Sequence, residues 1–453
     1  MDNKVLYFFE ELSKIPRQSG SEKAVADWLV KFAKEHGFEY YVDNFNNVLI
    51  KKGSNKHSPI MLQSHTDMVC IKDDDYDIDF SKDPIKLIYE GDYLKAHKTS
   101  LGADNGLGVA IILSLLDADN DYDIEALFTS DEEVTMTGAI NFDYSKINSK
   151  NAISLDGFSD EEIITGCASI CDMKIHTTFL KTEKQVDGYT LVISGLKGGH
   201  SGNQIDKNLG NAIKLTAKFL EKLDGLEIQS FVGGKQFNFI PNQTVVKFCC
   251  KNNFDEVTEI LNNFTIEQKQ IYPTLKVELK LTKLDSTIGF KDSLSLVSLI
   301  NNIKTGVLEK NEFGILLSQN LSSVDTDENI IKISHRGHSI DLEDENIIYL
   351  QTLAEKFGFV FEIFDKQKGF STNINSSLVK KATKGFNKLY NITPTVCTKH
   401  ISLEGGIFAD NIANLEFIVL SPKIMDVHST SEKVYIPSIV KTYSIITNIL
   451  DEM

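Results

Sequence analysis

The chain has 453 residues, 42% hydrophobic and 25% charged, with a formal net charge of −17; that is ordinary globular composition, long enough for two or three domains. The negative charge argues against nucleic-acid binding, which wants a basic face, and against an anionic membrane surface as partner. No apolar run approaches the roughly 18–20 residues of a membrane span, the first residues lack a secretory pattern, and the six cysteines read as free thiols, so a reducing, cytoplasmic setting is expected.

The first dozen residues pattern as an amphipathic helix, with Asp2 or Asn3 as cap and Val5, Phe8, Phe9 and Leu12 on one face. A second helix is expected over 22–37, closed by Gly37. Strands are expected at 39–42, at 48–51 and in the apolar run 59–62. His65 and Asp67 follow that run. Two residues apart past a strand end, they point the same way.

Two acidic runs invite a calcium-loop reading, 73–79 and 117–125. Both fail, because Ile78 and Tyr122 stand where such a loop needs glycine. The stretch Leu101-Gly102-Ala103-Asp104-Asn105-Gly106-Leu107-Gly108 opens a helix over 109–116. It lacks the Lys-Ser/Thr of a phosphate cradle. A strand at 124–129 ends at Ser130-Asp131-Glu132-Glu133, and one at 151–155 ends at Asp156. Polar residues recurring at strand ends describe an open α/β sheet with a site along one edge.

Beyond residue 172 the order becomes strand, helix, strand, strand, helix, strand, at 189–194, 206–223, 228–232, 244–251, 254–268 and 274–281. A further set follows at 330–334, 344–357 and 359–364. This is the order of a ferredoxin-like α+β unit, in a region too long for one copy. A doubled lid domain over 173–367 is therefore expected. It is inserted into an α/β domain formed by 1–172 and 368–453, a mixed sheet flanked by helices. The α/β pattern resumes with a helix at 376–390, a strand at 395–398, a short helix at 405–408, a strand at 416–420 and a closing helix at 437–450.

His65, Asp67, Asp104, Glu132, Glu133, Asp156 and, far downstream, His428 supply five carboxylates and two imidazoles. Gathered on one edge they would repel one another unless cations sat among them. Carboxylate and imidazole together suit zinc, manganese or cobalt. Two ions about 3.5–4 Å apart would share one carboxylate as a bridge and activate one water. The doublet then divides, one glutamate on a metal and the other taking the water's proton.

The motifs Ser64-His65-Thr66-Asp67, Gly102-Ala103-Asp104-Asn105-Gly106, Thr129-Ser130-Asp131-Glu132-Glu133, Leu155-Asp156, Gly198-Gly199-His200-Ser201-Gly202 and Val427-His428-Ser429 resemble those of the co-catalytic zinc peptidases. That family includes carboxypeptidase G, aminoacylase-1 and the dipeptidases. Within it the likeness is strongest to the bacterial aminoacyl-histidine dipeptidases. It extends to Thr137-Gly138-Ala139, Asn238-Phe239-Ile240-Pro241 and Leu403-Glu404-Gly405-Gly406, and so covers nearly the whole chain.

The resemblance implies a zinc-peptidase fold with two divalent metal ions, zinc first and cobalt or manganese as alternatives. It makes Asp104 the bridging ligand. His65 and Asp156 complete one metal site; Glu133 and His428 complete the other. Glu132 becomes the general base, and Asp67 the acid that orients His65. The reaction implied is attack of a metal-bridged hydroxide on the peptide carbonyl of a dipeptide, Xaa-His such as carnosine included. The resemblance gives His200 the oxyanion. Asn238 and Arg336 are candidates for the substrate's C-terminal carboxylate, and Glu404 lies in a loop expected to line the substrate pocket. A doubled lid could supply these groups within one chain, so monomer and homodimer both fit. An N-acyl-amino-acid amidohydrolase would use the same metal set. A non-catalytic peptide- or metal-binding protein would lack a ligand or the base, and none is missing. Thr430 stands where the dipeptidases carry proline, which bears on loop stiffness and not on ligation. His36, His57, His97, His176, His335, His338 and His400 are read as surface or structural residues.

Overall fold

A computed structural model describes residues 2–53, 59–312 and 314–453. The side chains of Asp2 and Asn3, and His57, lie outside the described residues. The chain forms two compact units. One is built from 1–167, 369–399 and 403–453, and the other from 168–368 with 400–402. The cut expected after residue 172 falls inside the strand Ser169–His176. That strand pairs on one side with Ile330–Gly337 and on the other with Val360–Gln367, so its residues belong wholly to the second unit.

The first unit is organised on a nine-stranded sheet. Its central strand, Ile60–His65, runs parallel to Ile124–Thr129 on one side and to Asn151–Ser154 on the other. Glu416–Val419 continues the parallel set beyond Asn151–Ser154. Ile60–His65 and Ile124–Thr129 are buried at every position, which is why they read as unbroken apolar runs and not as alternating ones. The register places His65 level with Thr129 and Gln63 level with Ser154. Three chain segments therefore leave the sheet at one carboxyl edge, where open α/β sheets hold their ligands.

The helix Ala103–Asp117 has no solvent-facing stripe: Leu107, Val109, Ile111, Ile112, Leu113 and Leu115 are all fully buried. Phe9, Leu12, Leu29 and Phe32 belong to the same core. Each such side chain contributes about 1.5–3 kcal/mol by leaving water. The helix Lys23–His36 ends where expected, with Gly37 in the left-handed region. A small further sheet pairs Leu87–Glu90, Tyr93–Ala96, Lys433–Tyr435 and Ile424–Met425, and so flanks the loop carrying His428.

The second unit is built on a nine-stranded sheet with two ferredoxin-like halves. One half is Thr182–Ser194, helix Ala212–Leu220, Glu227–Gly234, Thr244–Cys249, helix Phe254–Lys269 and Lys276–Thr287. The other opens with Ser169–His176 and resumes after the first is complete, with helix Gly289–Asn302, Gly314–Asp325, Ile330–Gly337, helix Ile340–Lys356 and Val360–Gln367. The doubling is thus a nesting, one half inserted after the first strand of the other. The halves join where Glu227–Gly234 pairs antiparallel with Gly314–Asp325. Gly234 makes that seam possible. Its φ is +70°, and a Cβ there would lie 1.9 Å from the Ser322 carbonyl oxygen. The helix expected from residue 206 starts only at Ala212, capped by the Asn211 side chain. Asn208 and Gly210 hold left-handed backbone just before it. Among the described residues no helix is long and apolar enough to cross a membrane, and all six cysteines are free.

Three histidines of this unit are kept neutral by burial. His335 is fully buried and pushed down to about 4; His400 is pushed down to about 3, and His338 is also lowered. The folded form disfavours their charged state, so their stabilising contribution is complete above the ordinary histidine pKa of about 6.5 and fades as pH falls toward 4. For His335 the full range is worth about 3 kcal/mol. Denaturant midpoints of this unit should drop between pH 6.5 and 4.5. His335→Gln should be less stable at pH 7.5 but show a flatter decline; an unchanged slope would refute the assignment.

Candidate metal centre

The sheet's carboxyl edge carries the chemistry. His65 ends the central strand and is 1% exposed. Its Nε2 lies 3.3 Å from Asp104 Oδ1, 3.9 Å from Asp156 Oδ1 and 4.0 Å from Glu132 Oε2. Asp67 Oδ1 stands 3.3 Å from His65 Nδ1. Asp67 also accepts the backbone N–H of Glu132 (3.1 Å) and of Glu133 (3.2 Å), and the Ser19 hydroxyl at 2.7 Å. One buried carboxylate thus orients the imidazole and fixes the turn carrying both glutamates.

Asp104 stands at the start of the helix Ala103–Asp117, where the backbone departs from helical geometry at Asp104 and Asn105. Asn105 Nδ2 donates to the Leu155 carbonyl (2.9 Å) and to Asp156 Oδ1 (3.3 Å), tying this turn to the next strand end. From the far end of the chain His428 brings Nε2 to 3.1 Å from Asp104 Oδ2 and 2.9 Å from Glu133 Oε1. His428 has a φ of +56°, left-handed backbone that costs a non-glycine residue roughly 1–2 kcal/mol.

Two ligand sets result, His65 with Asp104 and Asp156, and Asp104 with Glu133 and His428. In each, the candidate ligand atoms lie within 4.8 Å of one another. Asp104 belongs to both, one oxygen toward each histidine. A third grouping, His65 with Glu132 and Glu133, overlaps them.

The electrostatics follow from this crowding of carboxylates. Burial and the neighbouring carboxylates push Asp156 up to about 7, and burial holds Glu132 well above the usual carboxylate range. Burial, the largest single influence, lowers His65 and His428, but the surrounding carboxylates together outweigh it at both. With Asp67 beside the first and Glu133 beside the second, His65 stays high and His428 rises to about 10. Positive charge is thus favoured at both ends of the cluster. Oxygen and nitrogen donors of this kind, crowded and without their own counter-charge, fit two divalent ions of the zinc, cobalt or manganese class.

Glu404, expected to line the substrate pocket, is 2% exposed. Its Oε2 accepts from Gln63 Nε2 (2.6 Å) and Thr129 Oγ1 (2.8 Å), so it braces the strand ends behind the cluster. Burial and nearby carboxylates raise it to about 8. His200, Asn238 and Arg336 belong to the second unit. There Gly199–His200 pairs with Phe239–Ile240, and the Ser201 N–H donates to the Asn238 carbonyl at 2.8 Å. His200 Nδ1 accepts N–H groups from Gly202 (3.0 Å) and Asn203 (3.3 Å), which puts the ring proton on Nε2. Arg336 is buried in its strand opposite Ser318, whose hydroxyl shares a 2.7 Å hydrogen bond with His400 Nε2. Two charged residues outside the expected set, Arg17 and Glu432, reach the loops around His65 and Asp104. Glu432, four residues after His428, carried a signal in its spacing; Arg17 carried none.

A carboxyl-edge donor set of this kind suits a metal-dependent hydrolase, and the sequence match makes the enzyme a metallopeptidase. The chain belongs to peptidase family M20/M25/M40, whose sequence pattern it matches over residues 61–452. Cytosol non-specific dipeptidase of Escherichia coli (strain K12) is 30% identical over 469 aligned positions, spanning 98% of this chain and 96% of that protein. The crystal structure of aminoacylhistidine dipeptidase from Vibrio alginolyticus superposes with a TM-score of 0.85 at 28% identity, over 99% of this chain and 96% of that one. A tripeptidase from Staphylococcus aureus subsp. aureus mu50 shares the fold, with a TM-score of 0.59 at 16% identity over 100% of this chain and 98% of that one.

Proposed function

We propose that this protein is a two-metal dipeptidase of broad specificity, with aminoacyl-histidine dipeptides among its substrates. The observation that carries the reading is the pair of ligand sets sharing Asp104, with Glu132 held beside His65 and outside both sets. His65, Asp104 and Asp156 would hold one ion, and Asp104, Glu133 and His428 the other. Bound there, the ions supply Lewis-acid charge and bring a water's pKa toward neutrality.

The chain's own groups do the rest. Glu132 takes the proton of the attacking water and passes it to the leaving amine as the C–N bond breaks. Asp67 fixes the His65 tautomer and holds the Glu132 backbone in place. His200, with its proton on Nε2, is suited to donate to the oxyanion. Asn238 and Arg336 are assigned to the substrate's C-terminal carboxylate, a task that suits a guanidinium fork. Glu404 supports the strand ends behind the cluster. The dipeptide class is supported by the two relatives named as dipeptidases, and a cytoplasmic location by the cytosolic one.

A panel of Ala-His, β-Ala-His, other dipeptides and tripeptides, set against N-acetyl amino acids, tests the substrate class. Dipeptides, Xaa-His included, should be hydrolysed fastest. Turnover confined to the acetylated compounds would make the protein an amidohydrolase.

A further inference from the structure

Two charged side chains that the reaction does not use hold the loops on which the ligands stand. Glu432 is 2% exposed. Its carboxylate accepts four successive backbone N–H groups, Oε2 from Leu101 (2.7 Å) and Gly102 (3.0 Å), and Oε1 from Ala103 (2.9 Å) and Asp104 (3.3 Å). These amides open the helix that follows, so an anion is favoured there. Glu432 also donates its own N–H to the Ser429 carbonyl at 3.2 Å. One carboxylate therefore joins the turn bearing Asp104 to the loop bearing His428.

Arg17 makes the complementary link and is also 2% exposed. Nη1 donates to the carbonyls of Thr66 and Asp67, both at 3.0 Å, and Nη2 donates to the Gly102 carbonyl at 2.5 Å. It joins the loop after His65 to the turn before Asp104. Gly102 has a φ of +68°, and a Cβ there would lie 2.4 Å from Arg17 Nη2. The glycine leaves room for the guanidinium. Neither side chain belongs to the candidate ligand sets.

We propose that Arg17 and Glu432 are positioning residues that set the spacing of His65, Asp104 and His428, and through it the affinity of the centre for its cations. This rests on reading the cluster as a two-metal centre. Charge is essential to both, because charge-assisted hydrogen bonds are about twice as strong as neutral ones. In Glu432→Gln the volume is kept, but an NH2 group faces two backbone N–H donors. In Arg17→Lys the charge is kept, but a single ammonium cannot reproduce the planar fork that spans two loops.

The full chain, stripped with a chelator, would be titrated with Co2+ by absorption and calorimetry, as wild type, Glu432→Gln and Arg17→Lys. Circular dichroism would check that each metal-free variant is folded. Loss of outer-shell partners typically lowers metal affinity 10–100-fold, and that loss is expected here, with kcat recovering as Co2+ is raised to saturation. A folded variant that binds Co2+ within threefold of wild type would overturn the proposal. If Glu432→Gln does not fold, Arg17→Lys decides; if neither folds, the pair is structural and the proposal falls. Wild type that binds no Co2+ would instead overturn the two-metal reading itself.

Discussion

Glu132→Ala should lower kcat by about 10²–10⁴-fold, the range of general acid–base catalysis, and leave the number of bound metal ions unchanged. Glu132 lies near His65 Nε2, at 4.0 Å, but its backbone is held by Asp67 and not by a ligand. Removing its side chain therefore takes away the proton carrier and leaves Asp104, Asp156, Glu133 and both histidines in place. Glu132→Gln keeps the shape and should be equally inactive. Burial holds the Glu132 carboxyl well above its usual range, and bound cations would restore its acceptor form. Activity within about tenfold of wild type in either variant would show that another group carries the proton.

Asp104→Asn should remove both ions at once, and activity with them. Its two oxygens serve different partners, Oδ1 toward His65 and Oδ2 toward His428. Asparagine keeps the volume but withdraws the shared negative charge. Asp156→Asn gives the contrast, because Asp156 belongs to one ligand set only. It should reduce metal content by one ion per chain. Elemental analysis of the two variants after dialysis separates the cases. If Asp104→Asn keeps one ion and Asp156→Asn keeps none, the bridge has been placed on the wrong residue.

The first unit was more legible than the second. Strand ends announce themselves when a buried apolar run stops at a polar pair, as at His65 and Asp67, at Glu132 and Glu133, and at Asp156. Their convergence then follows from parallel strands in one sheet. The loop of Glu404 suggests contact with substrate, but its hydrogen bonds to Gln63 and Thr129 at the strand ends are not encoded in that loop's sequence. Arg17 and Glu432 act on backbone groups of distant loops; the place of Glu432 four residues after His428 hints at a role near the site, but spacing along the chain does not encode the partners of either. In the second unit the strand Gly314–Asp325 escaped notice for a different reason. Ser318, Gln319, Asn320, Ser322 and Ser323 are polar yet buried, so neither alternation nor an apolar run marks it. The helix Gly289–Asn302 was readable from Leu296, Val297, Leu299 and Ile300 and was missed only because the strand after it gave no frame. With those two elements absent, the nesting of the two halves could not be seen.

The account turns on two cations sharing Asp104, and the number of Zn2+ ions bound per chain by chelator-stripped protein, read from calorimetric titration, tests this most directly. Two ions at saturation, with dipeptide hydrolysis returning as they bind, is the predicted result. Saturation at one ion, or hydrolysis that proceeds undiminished with none, would contradict it.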